Sequence, residues 1–372
     1  MRPNPLIATR TAIAILLCLR SQLKTSTQLK TDCLRAGSGP PPPEADFRFA
    51  RISQMACVTD DSSIKHSAAG RTRDTACPLW RRLVRHFVRG GLIAALAMVS
   101  AAHADPIRIV AAENFYGDIV RQIGGPGVTV ASILNNPDQD PHLFEVSPSV
   151  GRAVSAARIV IYSGIDYDPW MPKLLRAAGS TDRTVLVVAQ LMGRKTGDNP
   201  HIWYDPQTMP TLAKRVASLL AGMDPARKAG YERRLAQFEQ TMTPIQAKIA
   251  ALRRRSAGMP ATATEPIFGY MFAALDMTVR NQRFQLAAMN NTEPSASDVA
   301  AFENDLKTHK VRLLVYNSQA TDPIADRMKR IAQEAGVPVV GVTETEPPGK
   351  DYQAWMIGEL DAVDRALAEP AR

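Results

Sequence analysis

The chain has 372 residues and a formal net charge of +9. Residues 1–104 carry 15 of the 45 Lys and Arg residues and 6 of the 36 Asp and Glu residues, so the remainder, residues 105–372, keeps 30 of each. This neutral body gives no support to a nucleic-acid partner, and we expect none. All four cysteines also precede residue 105, which excludes disulfides and cysteine ligands from the body.

Residues 81–104 have the pattern of a cleavable export signal. Four arginines precede the apolar run "GLIAALAMVSAA", and an A-x-A cleavage site ends at Ala104. The run is too short to span a bilayer comfortably. We therefore predict a periplasmic protein that is cleaved after Ala104. Because a signal peptide acts from the N-terminus, we expect residues 1–80 to be a mis-assigned or disordered N-terminal extension.

Strand and helix patterns alternate along residues 105–222. The strand patterns are "IRIVAA", "VTVASIL", "ARIVIYSG" and "TVLVVA". Between them lie helix patterns in "ENFYGDIVRQIGG", from about Pro148 and after Pro169, and a further helix pattern follows Pro206. Strands that alternate with helices predict a parallel sheet with helices on both faces, which forms an N-terminal metal-binding lobe in our interpretation.

One long amphipathic helix is predicted in the middle of the chain. Apolar residues recur at steps of three or four from Tyr231 to Leu252, and Asp224 has the residue type of an N-cap. Pro244 interrupts the pattern and is expected to kink the helix. We assign residues 223–257 to a linker helix between two lobes.

Residues 258–372 repeat the alternation and form the predicted C-terminal lobe. The strand patterns are "ATATE", "RFQLAAM", "VRLLVYN" and "VPVVGVT", and the last helix is "YQAWMIGELDAVDRAL". Ser295 and Asp298 resemble a capping box at the start of another helix. The predicted fold is therefore α/β, with two lobes, each a mostly parallel sheet flanked by helices, joined by one long connecting helix.

Four ionisable residues follow predicted strands, at the edge where open α/β sheets bind ligands. They are His142, His201, Glu265 and Glu344, two from each lobe. Imidazole nitrogens and carboxylate oxygens together can hold a divalent cation. Taken singly, a loop histidine is more often structural, and a glutamate after a strand is more often favoured there by a helix dipole. The arrangement of two and two around one predicted cleft favours a metal site.

Several motifs, in this order, resemble those of a known family. They are "IVAAENFYGDIVRQIGG", "DPHLFEVSPS", "NPHIWYDP", "FGYMFAAL", "NTEPSASD" and "AGVPVVGVTE". Over nearly all of residues 105–372 the chain is similar to the periplasmic metal-binding proteins of zinc/manganese-type ABC importers. The resemblance implies one metal ion clamped between two lobes by His142, His201, Glu265 and Glu344. It also implies delivery to an ABC permease in the inner membrane, and we expect the protein to act as a monomer.

The sequence departs from the zinc-type pattern of this family. Glu265 stands where zinc-importing members usually have a third histidine, and "LMGRKTGDN" lacks the histidines of their His/Asp-rich loop. An oxygen ligand in place of nitrogen favours Mn²⁺ or Fe²⁺, so we expect manganese, with zinc as the close second. Members often have Asp at the position of Glu344, and Glu346 is the alternative fourth ligand.

Two other functions remain open for this ligand set. A secreted metallohydrolase would need an open coordination position and a nearby acid–base group, and neither an HExxH nor a Ser/His/Asp pattern is present. A relative that binds a chelate or adheres to a surface would not need four inner ligands. We predict a binding protein and not an enzyme. Glu113 and Asn114 are expected to face the cleft around the ligands, and His309 is expected to face solvent.

Overall fold

The structure, a computed structural model, describes residues 105–136, 144–179, 182–320 and 322–368. His142 and the predictions for residues 1–80 and 81–104 lie outside these ranges. Within them, no helix has the length and apolar character needed to cross a membrane. Two four-stranded parallel sheets form the frame of the described chain.

The first sheet has the strand order β2-β1-β3-β4, with every pair parallel. Its strands are β1 (Ile107–Glu113), β2 (Val128–Leu134), β3 (Ile159–Tyr162) and β4 (Thr184–Val187). The central strand β1 is buried from Ile109 to Glu113, as expected for a strand covered on both faces. Because the chain leaves β2 and crosses to the far side of β1, a crevice opens beyond the carboxyl ends of β1 and β3.

Five helices accompany this sheet; four match predicted helices, and the fourth in chain order was not predicted, because it begins at Val188 within the predicted strand "TVLVVA". They are α1 (Asn114–Gly124), α2 (Pro148–Ala156), α3 (Trp170–Ala177), α4 (Val188–Leu191) and α5 (Thr208–Met223). Ser147 caps α2 by accepting a hydrogen bond from the backbone N–H of Val150. The turn from β4 to α5 contains a short 3₁₀ helix, Ile202–Tyr204, and His201 immediately precedes it.

The connecting segment is divided into two helices, α6 (Lys228–Thr241) and α7 (Thr243–Ser256). The break falls at Met242 because Pro244 occupies the first turn of α7, where its missing N–H removes no helical hydrogen bond. Asp224 directly precedes the helical segment, as predicted, with Pro225 in its first turn, but the Asp224 side chain makes no capping hydrogen bond. Its carboxylate instead accepts hydrogen bonds from Arg227 and Tyr231, at 2.7 and 3.1 Å, and a 3₁₀ turn precedes α6.

The second sheet repeats the arrangement of the first, with the order β6-β5-β7-β8. Its strands are β5 (Pro260–Ala263), β6 (Thr278–Val279), β7 (Leu314–Asn317) and β8 (Val339–Val342). Its helices are α8 (Gly269–Ala274), α9 (Gln282–Met289), α10 (Ala296–Lys307), α11 (Pro323–Glu334) and α12 (Tyr352–Ala368). A second crevice therefore opens beyond the carboxyl ends of β5 and β7.

The segment "RFQLAAM", predicted as a strand, belongs to the helix α9. Gln, Leu, Ala and Met favour helix, and this preference prevails over the short apolar run. The strand of this region is β6, which has two residues. Asn281, in the left-handed conformation with φ of 57°, turns the chain from β6 into α9.

One aromatic core joins the two halves of the described chain. The first half is the sheet β1–β4 with the helices α1–α5, and the second half is the sheet β5–β8 with the helices α8–α12. Phe115 of the first half packs against Trp203 and against Trp355 of α12, with ring centroids 4.9 and 5.9 Å apart. Tyr204 packs edge-on against Phe268 of the second half at 5.0 Å. Such pairs add about 0.5–1.5 kcal/mol each beyond the burial of their surface. The turn that follows His201 is thus fixed between the halves.

A buried carboxyl group, Glu359 of α12, lies directly behind this aromatic turn. Its Oε1 accepts hydrogen bonds from the Trp355 indole at 2.8 Å and the Thr343 backbone N–H at 3.1 Å, and the Tyr204 hydroxyl lies 3.0 Å away. Its Oε2 is buried and has no hydrogen-bond partner among the described residues. Burial raises the pKa of Glu359 from 4.5 to about 7, against the opposing effect of these donors.

The raised pKa of Glu359 gives a pH-dependent contribution to stability. The folded protein binds this proton more tightly than the unfolded chain, so the contribution is complete below pH 4.5 and is lost as the pH rises to about 7. Glu359→Gln keeps a neutral group of the same shape. We expect urea unfolding to show the variant gaining stability relative to the wild type between pH 5 and pH 8. An equal difference between the two proteins at both pH values would contradict the assignment.

Candidate metal site

His201 is fully buried at the seam between the two halves. Its ring lies edge-on to Trp203 and Tyr167, with centroids 5.3 and 6.2 Å apart. Its Nδ1 is 2.7 Å from the side-chain oxygen of Asn199, which also accepts from the His201 backbone N–H at 3.1 Å. These contacts fix the direction of the imidazole ring.

Glu265 and Glu344 come from the second half and border the same cavity. Glu265 follows β5, and Glu344 follows β8; both side chains are buried. The cavity also borders Asn317 at the end of β7, so it lies beyond the carboxyl ends of this sheet. Glu293 lies at its exposed rim. Two buried carboxylates at one polar cavity produce a negative potential that attracts a cation.

The carboxylate of Glu344 is held from both halves of the molecule. Asn317 donates to its Oε1 at 2.5 Å, and the hydroxyl of Tyr167, which follows β3, donates to its Oε2 at 2.9 Å. Its backbone N–H donates to the side-chain oxygen of Gln319 at 2.6 Å. Each carboxylate oxygen keeps further lone-pair capacity beyond these bonds. The bonds therefore orient Glu344 without preventing it from binding a cation.

Sequence reasoning missed both residues that orient Glu344. Asn317 ends a predicted strand, so the rule that selected the four ionisable residues would also have selected it if amides had been included. Tyr167 lies in the loop "SGIDYDPW", and nothing in its local sequence indicates a partner 177 positions away. Contacts of this kind follow from the packing of the two halves.

Glu346, the alternative fourth ligand, does not line this cavity. Its backbone is bonded to the side chain of Asn114 in α1, with N···Oδ1 and Nδ2···O distances of 3.1 and 2.7 Å. Burial and the negative charge of nearby Asp118 raise its pKa to about 8. Of the two glutamates, Glu344 is the one that borders the cavity with Glu265.

Glu113, expected to face the cleft, is fully buried at the end of β1. Burial, followed by the negative charge of Asp168, raises its pKa well above the ordinary value and favours its protonated form. Asp168 accepts backbone hydrogen bonds from Ser163 at 2.7 Å and Gly164 at 2.9 Å, and burial raises its pKa to about 6. A protonated Glu113 is a poor ligand for a cation. Asn114 spans the halves through Glu346, as described above.

The structure thus brings Glu265 and Glu344 to one cavity and connects His201 with the second half through Asn199. Across residues 105–136, 144–179, 182–320 and 322–368, no three or more His, Cys, Asp and Glu side chains lie together in a group that could hold a metal ion. The fourth predicted ligand, His142, lies outside these ranges. His309 is exposed at the end of α10, as expected.

The chain is similar in sequence to substrate-binding lipoproteins of metal ABC transporters. It is 24% identical over 294 residues to the iron ABC transporter substrate-binding lipoprotein MtsA of Streptococcus pyogenes serotype M1, covering 72% of this chain and 91% of MtsA. It is 22% identical to the manganese ABC transporter substrate-binding lipoprotein PsaA of Streptococcus anginosus, covering 72% and 92%.

A solved structure shares the fold. The periplasmic zinc-binding protein TroA from Treponema pallidum superimposes with a TM-score of 0.59 and 18% identity, covering 72% of this chain and 100% of TroA. The family model "ZnuA: Zinc-uptake complex component A periplasmic" matches residues 109–366, which is more than half of the chain. The chain therefore belongs to the ZnuA family of metal-binding, ABC-transporter substrate-binding proteins.

Proposed function

We propose that the protein captures one divalent transition-metal cation at the seam between its halves and delivers it to an ABC permease in the inner membrane. The observation that carries the proposal is that Glu265 and Glu344 border one cavity while Tyr167 contacts both Glu344 and His201. His201 is fixed in direction from the first half, and Glu265 and Glu344 border one cavity in the second half. Tyr167 contacts His201 through its ring and Glu344 through its hydroxyl.

The proposed ligands are His142, His201, Glu265 and Glu344. Two carboxylates offset the charge of a divalent cation, and two neutral imidazoles complete the donor set without adding charge. Burying ionised carboxylates is costly unless a positive charge compensates them. A cation at this position supplies that compensation, which supports the assignment of the cavity as its binding site.

The proposed cargo is Mn²⁺, with Zn²⁺ as the close second and Fe²⁺ as a further candidate. Glu265 contributes oxygen, and a harder donor set moves the preference away from zinc. The relatives MtsA, PsaA and TroA are named for iron, manganese and zinc, respectively, so proteins of this kind differ in their metal. We infer no catalytic role, because capture and release need only the ligands.

The proposed setting follows from the same assignment. The mature protein begins after Ala104 in the periplasm and acts as a monomer. Its N-terminal lobe spans residues 105–222, its linker 223–257 and its C-terminal lobe 258–372. The repeated strand order of the two sheets supports two lobes of similar construction.

Replacing the central histidine tests the ligand assignment. We expect the wild-type protein, isolated from the periplasm, to contain about one metal ion per chain. His201→Ala should lose more affinity than the ~10–100-fold typical of removing a ligand's hydrogen-bond partner, because it removes the ligand itself. The matched control is His309→Ala, since His309 is exposed and far from any proposed ligand in sequence. Elemental analysis and calorimetric titration with Mn²⁺ and Zn²⁺ measure the effect.

Equal metal content in His201→Ala and the wild type would refute the proposed site. Metal-dependent hydrolytic turnover by the wild-type protein would instead refute the proposal that it is a binding protein without catalytic activity.

Replacing one tyrosine hydroxyl tests the orientation of Glu344. Tyr167→Phe keeps the ring contact with Trp203 at 4.7 Å and removes the hydrogen bond to Oε2. We expect Mn²⁺ affinity to fall by about 10-fold, the lower end of the range for partners of metal ligands. Tyr162→Phe is the control, since none of the hydrogen bonds to Glu344 described above involves Tyr162. Unchanged affinity in Tyr167→Phe would show that this bond does not position the carboxylate.

A further inference from the structure

Asn199, two residues before His201, makes hydrogen bonds in both halves of the protein. Its Oδ1 lies 2.7 Å from His201 Nδ1 and accepts from the His201 backbone N–H at 3.1 Å. Its Nδ2 donates to the backbone carbonyl of Pro266 at 2.6 Å. Pro266 directly follows Glu265, so this one amide contacts a proposed ligand in one half and the neighbour of a proposed ligand in the other.

The partners of Asn199 determine which way its amide is turned. The carbonyl of Pro266 can only accept, so the amide nitrogen must face it. The backbone N–H of His201 can only donate, so the amide oxygen must face His201. Both requirements give the same orientation. The assignment therefore follows from the network, without hydrogen positions being observed.

This orientation also determines the tautomer of His201. An amide oxygen only accepts, so the ring nitrogen 2.7 Å from it must carry a proton. In a neutral imidazole with a proton on Nδ1, the lone pair lies on Nε2. Nε2 is then the atom that can bind a cation.

We propose that Asn199 is a positioning residue that presents Nε2 of His201 to the cation and links this presentation to the contact between the two halves. The inference rests on the proposed function, in which His201 is a ligand. The bond to Pro266 sets the position of the Asn199 amide, and the amide sets the tautomer and direction of the imidazole. The segments that carry His201 and Glu265 are thereby held in one fixed relation.

The surroundings of Asn199 are built to hold it in this position. A Cβ atom at Gly269 would lie 2.8 Å from Nδ2, so the close approach of the amide to the second half requires glycine there. Tyr270 donates its hydroxyl to the Asn199 backbone carbonyl at 2.8 Å. The guanidinium of Arg194 lies over the Tyr270 ring at 4.5 Å and pairs with Asp205 at 2.7 Å. Both the side chain and the backbone of Asn199 are therefore held by the second half.

Two substitutions at this position separate its roles. Asn199→Ala removes the acceptor, and we expect affinity for Mn²⁺ and Zn²⁺ to fall by about 10–100-fold. Asn199→Asp keeps an acceptor for the imidazole N–H but loses the donor to the Pro266 carbonyl, so it should recover only part of this loss. The matched control is Asn114→Ala, because Asn114 also bonds to the backbone of the second half, at Glu346, without touching a proposed ligand. This control should lose much less affinity than Asn199→Ala.

Nitrogen-15 NMR of the histidine rings gives a readout that a merely structural role would not change. Metal-free wild-type protein and Asn199→Asp should show His201 protonated on Nδ1, and Asn199→Ala should show a mixture of tautomers. A wild-type His201 protonated on Nε2 would overturn the inference, even if Asn199→Ala does not fold. An equal loss of affinity in Asn114→Ala and Asn199→Ala would also overturn it.

The outcome for His201→Ala distinguishes this inference from the proposed function. If His201→Ala loses the metal and Asn199→Ala keeps full affinity, the positioning role of Asn199 is refuted and the ligand assignment stands. If His201→Ala keeps the metal, the ligand assignment is refuted, and the inference with it.

Discussion

Carboxyl groups are buried where the two halves meet, and each must be given hydrogen-bond donors or be protonated. Leaving a buried polar group without a partner costs about 1–3 kcal/mol, and an ionised group costs more. Glu344 receives hydrogen bonds from Tyr167 and Asn317. Glu359 receives donors on one oxygen, and burial raises its pKa to about 7, so that it can stay neutral. The positions of these partners, drawn from both halves, determine how the halves meet.

Besides the contacts around the cavity, two helical connections hold the halves together. The helices α6 and α7 connect them along the chain, and α12 returns from the second half to pack on the first. Tyr352 of α12 donates from its backbone N–H to Asp118 at 3.1 Å and from its hydroxyl to the Trp203 carbonyl at 2.8 Å. Lys248 of α7 forms salt bridges with Asp361 and Asp364 of α12. This second connection reinforces the contact between the halves.

The strands of the two sheets can be predicted from the sequence, whereas most contacts between the two halves cannot. Strands such as β1 and β7 are apolar because helices cover both faces of their sheets, and this pattern can be read locally. The assignment of "RFQLAAM" as a strand is wrong because a short apolar run does not distinguish strand from helix. Asn317 could have been found from its place at the end of a strand, but Tyr167 could not. The role of Tyr167 depends on a contact between distant segments, which no local periodicity records.

The motif "NPHIWYDP" shows why the proposed ligand and the seam cannot vary independently. Trp203 and Tyr204, which follow His201, are buried in the aromatic core, and the Tyr204 hydroxyl donates to the Thr343 carbonyl at 2.7 Å, next to Glu344. Any displacement of His201 must therefore disturb packing and hydrogen bonds that hold the halves together. By the same coupling, a shift between the halves alters the direction of the imidazole through Asn199. Cation affinity and the contact between the halves are then linked free energies, so a partner that separates the halves even slightly would lower the affinity of the site.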